Sequence, residues 1–229
     1  MSLVDEIKLL LERCTEGQRR EIFDHLRRYV EIHPIEAKLN AQAEVILEAI
    51  DRASDLTLRG IRGIIAEAAF AVGVLRDLER WRDVTPPGDA PFDFLLEDFG
   101  GQVRVQVKMQ RRVSGRPMMA NEASKILSPE MFVVETQRTR GGINRTTGED
   151  TRPYRFGEFD ILAVSMHPST NNWDSFMYTV SQWLLPRQDN PTLLMKFQPV
   201  SPVPNDDWTD DFLKCVSWFR SEDTKRIQV

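Results

Sequence analysis

The stretch PFDFLLEDFGGQVRVQVK, residues 91–108, contains two extended arms on either side of a pair of glycines. The arms cover residues 92–98 and 103–109, and Gly100-Gly101 between two apolar runs is typical of a β-hairpin. Valine occupies every other position of the second arm, so the residues between the valines, including Gln106 and Lys108, share the opposite face of the strand. We therefore predict a hairpin that carries polar groups on one face.

Asp93 stands on the first arm, where a hairpin brings it close to Gln106 and Lys108. A carboxylate can bind a hard cation such as Mg²⁺, and an ammonium can stabilise the negative charge that develops on a phosphate. Each residue alone would also fit a turn or the solvent face of an amphipathic strand. The three together, at the spacing of a hairpin, favour a shared polar site over three unrelated surface residues.

This pattern resembles the PD-(D/E)XK nuclease superfamily, in particular the divergent branch in which Gln replaces the second acid. The resemblance implies that Asp93 and the backbone carbonyl of Val107 bind the metal, which would be Mg²⁺ with Mn²⁺ as a substitute. It also implies that Lys108 orients or deprotonates the attacking water and stabilises the phosphorane charge, while Gln106 stands where a second carboxylate usually lies. Because Gln106 is neutral, one unit of negative charge must come from elsewhere.

A helix predicted from residue 58 to about residue 80 offers that charge. Its segment GIIAEAAFAVGVL, residues 63–75, is similar to the helix that in some families of the superfamily brings a glutamate to the metal site. Glu67 is therefore predicted as a catalytic residue and metal ligand; a salt bridge to Lys108 or to an arginine is the alternative. The apolar character of this helix predicts burial against the sheet, and Gly60 and Gly63 predict the close approach of another backbone.

The charge of the chain is unevenly distributed. The formal net charge is −5, yet residues 103–155 contain eleven Lys or Arg against five acids. A basic middle is typical of a cleft that follows phosphates, although a solvated surface with scattered ion pairs would have the same composition. The predicted DNA-binding residues are Arg111, Arg112, Arg116, Arg138, Arg140, Asn144, Arg145, Arg152 and Arg155, most of them in the irregular stretch 136–157.

The remaining pattern predicts two regions. Residues 1–56 are predicted to be helical, because Ser2 with Asp5 and Thr15 with Gln18 form capping boxes before apolar repeats, and to serve in dimerisation or bracing. Residues 57–229 are predicted to form the nuclease domain, an α/β (α+β) fold with a restriction-endonuclease-like mixed central sheet flanked by helices. Further strands are expected at residues 131–134, 159–166, 176–185 and 192–197, and Asp160 is assigned a structural role.

No apolar run is long enough to span a membrane, and the N-terminus lacks the basic start and apolar block of a signal peptide. We therefore expect a cytoplasmic protein without membrane association. The resemblance implies a sequence-specific endodeoxyribonuclease that hydrolyses double-stranded DNA, of the type II restriction kind, acting as a homodimer because two active sites cut two strands. Two alternatives stay open: a homing or DNA-repair nuclease on the same scaffold, and a catalytically silent DNA-binding protein.

Overall fold

The computed structural model describes residues 2–27, 29–30, 33–138, 141–143, 148 and 150–228. The backbone packs as two units, Met1–Leu58 and Arg59–Val229. The predicted domain boundary between residues 56 and 57 lies close to this division, and the role predicted for the first region stays a prediction.

The first unit is helical. Its helices are α1 (Leu3–Arg13), α2 (Glu16–Leu26), α3 (Ile35–Leu39) and α4 (Ala43–Asp51). Both predicted capping boxes are confirmed, since Ser2 and Asp5 at the start of α1, and Thr15 and Gln18 at the start of α2, satisfy each other's backbone N–H groups. None of the described residues in α1–α4 is buried. The caps therefore define where the first two helices begin, while burial contributes little within them.

The second unit contains a mixed sheet. The strands in chain order are β1 (Arg82–Asp83), β2 (Phe94–Asp98), β3 (Gly101–Met109), β4 (Arg112–Val113), β5 (Arg116–Pro117), β6 (Phe132–Glu135), β7 (Ile161–Ser165), β8 (Phe176–Val180) and β9 (Phe197–Val200). Five of them form one sheet in the order β1-β2-β3-β7-β8. Strands β3 and β7 are parallel, and the other neighbours in this sheet are antiparallel. The predicted fold class, a mixed central sheet flanked by helices, is confirmed.

The predicted hairpin is present as β2 and β3. The strands pair with Phe94 opposite Val105 and Leu96 opposite Val103, and the turn places Gly101 at a φ of +109°, where a Cβ would be strained. On its other edge β3 pairs with β7, so that Gln106 lies beside Leu162 and Lys108 beside Val164. The strand that carries the predicted site is therefore the centre of the sheet.

Among the described residues from 55 onward, the longest helices are α5 (Asp55–Gly73) and α8 (Phe212–Arg220), and α6 (Ala120–Ala123) and α7 (His167–Thr170) are single turns. Phe70 of α5 anchors the helix on the sheet, because its ring lies 5.2 Å from that of Phe94 and 5.7 Å from that of Phe176. These contacts fix α5 on the sheet, and Glu67 then lies near Asp93 and Lys108 at the end of the hairpin away from its turn.

Of two predictions about α5, burial against the sheet holds for one face only, and the close approach of another backbone to its glycines is wrong. Ile64 and Val72 are 64% and 54% exposed, so the helix is buried on one side only. An added Cβ at Gly60 or Gly63 would meet no described atom within 4 Å, so no backbone approaches these glycines closely. Apolar residues around the whole circumference overstate burial, because the sheet can cover only one face of a helix.

The later strands match the predictions in part. Strands β6 and β7 form at the predicted positions, while the predicted strand 176–185 ends at Val180 and continues as a 3-10 turn, Ser181–Trp183. The strand predicted at residues 192–197 forms later in the chain, as β9 (Phe197–Val200). Residues 193 and 194 make only isolated bridges. Within the described residues, no helix has the length and apolarity needed to cross a membrane.

Asp160 has the predicted structural role, because it holds Arg104 at the entry to β7. Its Oδ1 accepts from Nη2 of Arg104 at 2.6 Å, and its Oδ2 accepts from Nε at 3.0 Å and from the backbone N–H of Arg104 at 2.8 Å. Asp160 is only 8% exposed. The carboxylate therefore fixes both the side chain and the strand position of Arg104.

We expect Asp160→Ala to lower the free energy of unfolding by about 2 kcal/mol, because it removes the acceptor of the Arg104 backbone N–H and of its partly exposed guanidinium. Urea denaturation measures the change. Asp189→Ala is the matched control, since it breaks the exposed Arg187–Asp189 pair and should cost less than about 1 kcal/mol. Equal losses in the two variants would show that the Arg104–Asp160 pair does not hold the strand.

Candidate active site

Asp93 lies immediately before β2 and is held by the hairpin backbone. Its N–H donates to the carbonyl of Val105 at 3.0 Å, and its Oδ2 accepts from the N–H of Val107 at 2.8 Å and from Nε2 of Gln106. Among the described residues, no hydrogen bond is made to Oδ1 of Asp93. One carboxylate oxygen is therefore fixed by the strand, and the other is free to bind a ligand.

Gln106 is 1% exposed, so it does not belong to a solvent-facing side of the strand. Its Nε2 donates to Oδ2 of Asp93 and, at 3.2 Å, to the carbonyl of Val107. Burial raises the pKa of Asp93, while Lys108 and the hydrogen bonds from Val107 and Gln106 oppose that shift. The neutral amide therefore orients the carboxylate and stabilises its charged form without adding negative charge of its own.

Glu67 lies on α5, where the charges of Asp93 and Lys108 affect its pKa. Burial and the charge of Asp93 raise its pKa from 4.5 to about 7, with Lys108 acting in the opposite direction. Within the described residues, Glu67 forms no ion pair. Helix α5 thus brings a second carboxylate close enough to Asp93 for the two charges to interact. Among the described residues, neither carboxylate forms an ion pair with a basic side chain.

Lys108 completes the cluster and is half-buried. Burial lowers the pKa of its ammonium, Asp93 and Glu67 raise it, and Arg138 lowers it. Its Nζ makes neither a hydrogen bond nor an ion pair with any described residue, and it lies 5.4 Å from the ring centroid of Tyr154. The four residues predicted to be catalytic, Glu67, Asp93, Gln106 and Lys108, are therefore neighbours in space.

The residues predicted to bind metal suit a hard cation. Within the described residues, no three His, Cys, Asp or Glu side chains group closely enough to hold a metal. The available donors are the carboxylates of Asp93 and Glu67 and the carbonyl of Val107, which has a second lone pair beside the one used by Gln106. Oxygen donors of this kind fit Mg²⁺, which retains several waters, and a cation would favour the charged forms of both carboxylates.

We expect Glu67→Gln to stabilise the metal-free protein at about pH 8 and to have little effect at about pH 5. Since the pKa of Glu67 is about 7 in the folded protein and 4.5 ordinarily, the folded state binds that proton more tightly, and stability is lost as the pH rises through this interval. An amide removes this penalty, which is worth about 1 kcal/mol after allowance for partial exposure. Urea denaturation at both pH values, with Glu130→Gln as an exposed control, measures it. An equal effect at both pH values would contradict the assignment.

Most predicted DNA-binding arginines that the structure describes are paired with acids. The pairs are Arg111–Glu135 at 2.5 Å, Arg116–Glu122 at 2.6 Å, Arg138–Glu158 at 2.6 Å and Arg152–Asp150 at 3.2 Å. Arg112 donates to the carbonyl of Gly115 at 2.8 Å, and Arg155 donates to Thr192 at 3.5 Å. The predicted residues Arg140, Asn144 and Arg145 lie outside the described residues. DNA contact by these side chains stays a prediction, and the paired ones would have to exchange a carboxylate for a phosphate.

Tyr154 is a site residue that the sequence did not reveal. It lies in the irregular stretch 136–157, is 4% exposed, and places its ring 5.4 Å from both Nζ of Lys108 and Cζ of Arg138. Burial and the charge of Asp93 raise the pKa of its hydroxyl well above the ordinary value. The one available signal was a pair of aromatic residues, Tyr154 and Phe156, within a polar segment.

The sequence matches no protein-family model and no curated protein. Among solved structures, the chain is similar to a bacterial homing endonuclease, with 20% sequence identity over 67% of this chain and 81% of that one, and a TM-score of 0.36. A similarity this distant does not establish a family. The function of the chain is therefore inferred from its own site.

Proposed function

We propose that this protein is a metal-dependent endodeoxyribonuclease. One observation carries the proposal: Asp93 accepts a hydrogen bond from the buried amide of Gln106 in the central strand, and its charge interacts with those of Glu67 and Lys108. Among the described residues, neither carboxylate forms an ion pair with a basic side chain, and the ammonium of Lys108 has no hydrogen-bonded partner. Groups of these types suit the hydrolysis of an anionic phosphodiester.

Each residue has a defined part in this reaction. Asp93, Glu67 and the carbonyl of Val107 would hold Mg²⁺, or Mn²⁺ in its place, and the bound ion supplies a Lewis acid for the phosphate oxygens. Lys108 orients the attacking water and stabilises the charge on the pentacovalent phosphorus. Gln106 keeps Oδ2 of Asp93 in place through its amide N–H. The water oxygen gives up a proton to solvent as it bonds to phosphorus, the P–O bond to the leaving group breaks, and the leaving oxygen takes up a proton from solvent.

The substrate we propose is double-stranded DNA, cut at a specific sequence in the manner of a type II restriction enzyme. The excess of Lys and Arg in residues 103–155 supports an anionic polymer as the ligand. Cleavage of both strands of a palindrome requires two sites related by a two-fold axis, and so we propose a homodimer. Sedimentation of the purified protein tests the dimer directly.

Incubation of the purified protein with a fully sequenced plasmid and Mg²⁺, followed by mapping of the DNA ends, tests the function. Discrete fragments with constant end sequences are expected, and EDTA should prevent them. Cuts without a common sequence would contradict the restriction assignment and favour a structure-selective nuclease. Binding without cleavage in either Mg²⁺ or Mn²⁺ would refute the enzymatic assignment.

A further inference from the structure

The side chain of Lys108 requires a contact that holds its ammonium in one orientation. Burial lowers the pKa of Lys108 and the charges of Asp93 and Glu67 oppose that shift, but none of the described acids forms an ion pair with Nζ. A lysine side chain has four rotatable bonds, so an unanchored ammonium would sample many positions. The described contact with a defined direction is the face of Tyr154, whose centroid is 5.4 Å from Nζ.

Tyr154 is itself held firmly. Its ring packs edge-on against Phe159, with centroids 5.3 Å apart at an interplanar angle of 88°, and its carbonyl accepts from the N–H of Leu194 at 2.8 Å. The residue is 4% exposed. A buried ring with fixed neighbours can act as a platform for a cation, since the ring face attracts positive charge within about 6 Å.

The same ring also meets a second cation. Cζ of Arg138 lies 5.4 Å from the Tyr154 centroid, and Nη2 of Arg138 donates to Glu158 at 2.6 Å. The N–H of Arg138 donates to the carbonyl of Arg152 at 2.9 Å, and Gln137 bridges to Pro153. These contacts join residues 137–138 to residues 152–153, next to Tyr154. The Tyr154 ring therefore lies between Arg138 of the arginine-rich stretch and Lys108.

Building on the proposed nuclease function, we propose that Tyr154 is a positioning residue whose ring holds Lys108, with Arg138 beside it, towards one phosphodiester of the DNA. The aromatic face is the required feature, and the hydroxyl is dispensable. Tyr154 therefore acts on the reaction through Lys108, without contact to the substrate.

Single-turnover cleavage of DNA by three variants tests this role. Tyr154→Leu removes the ring and should lower the cleavage rate roughly 10- to 100-fold, the loss typical of a displaced catalytic group, with the Kd for DNA within about threefold of wild type. Tyr154→Phe keeps the ring and should cleave within about threefold of wild type. Trp183→Leu removes a buried ring just after β8, two strands away from β3, and is the control for lost packing, with cleavage retained.

Nuclear magnetic resonance gives a second readout that does not depend on cleavage. The ε-methylene protons of Lys108, assigned by their loss in Lys108→Ala, should be shifted upfield by the Tyr154 ring in the wild type and in Tyr154→Phe. The shift should vanish in Tyr154→Leu. If the wild type shows this shift but cuts no DNA, the proposed nuclease function fails while the contact stands.

The positioning role is overturned by any of three results. An unshifted Lys108 signal in the wild type means that the ring does not hold the ammonium. Equal cleavage losses in Tyr154→Leu and Trp183→Leu mean that the effect is one of packing. Cleavage by Tyr154→Leu at the wild-type rate means that Lys108 needs no platform.

Discussion

Lys108→Ala is expected to slow DNA cleavage by about 10³-fold while leaving DNA affinity within a few-fold of the wild type. The ammonium lies beside Asp93 and Glu67, where it can orient water and stabilise negative charge in the transition state. Phosphate contacts spread over many basic side chains supply most of the affinity for DNA, so one half-buried lysine contributes little to it.

Single-turnover cleavage and equilibrium binding, measured on the same DNA, separate the two effects. Lys125→Ala is the matched control, because Lys125 is exposed and belongs to the same basic part of the sequence. Its cleavage rate should stay close to that of the wild type. Retained cleavage in Lys108→Ala would refute the assignment of Lys108, and a proportional loss of binding would make Lys108 a DNA contact.

Asp93→Ala is expected to abolish cleavage, with a loss of about 10³- to 10⁴-fold, because it removes the carboxylate that the hairpin holds in place for the metal. We expect Mg²⁺ to raise the Tm of the wild type, since a ligand that binds only the folded state stabilises it, and Asp93→Ala should remove that increase. Thermal unfolding with and without Mg²⁺ measures this second effect in the absence of DNA.

The exposed acid Asp89, a few residues earlier in the chain, provides the control for Asp93. Asp89→Ala should keep both the cleavage activity and the Mg²⁺-dependent increase in Tm. An increase in Tm that survives in Asp93→Ala would place the metal elsewhere. Cleavage that survives in Asp93→Ala would remove the hairpin from the active site.

The centre of the fold was predictable because its signals are local. The alternation of valines with Gln106 and Lys108 fixes the faces of β3, and the glycine pair fixes the turn that brings Asp93 alongside. Glu67 lies three residues before the buried Phe70, so helix periodicity places it on the face of α5 that packs on the sheet. Local patterns therefore identified the elements and the polar groups that meet at the site.

What the sequence did not disclose depends on contacts between distant segments. Ile64 and Val72 are as apolar as buried helix residues, and only the extent of the sheet decides that they stay exposed. Tyr154 reaches Lys108 across 46 positions of chain through the packing of an irregular segment, which has no period to read. The pairing of most described arginines with acids likewise depends on tertiary structure, as in Arg138 with Glu158.

The most direct test of the account compares wild-type protein with Lys108→Ala on a supercoiled plasmid in Mg²⁺, at equal concentrations and with folding verified by thermal unfolding. The account predicts that the wild type converts the plasmid to linear fragments while the variant leaves it supercoiled. Equal cleavage by the two proteins, or none by either in Mg²⁺ and Mn²⁺, would contradict it.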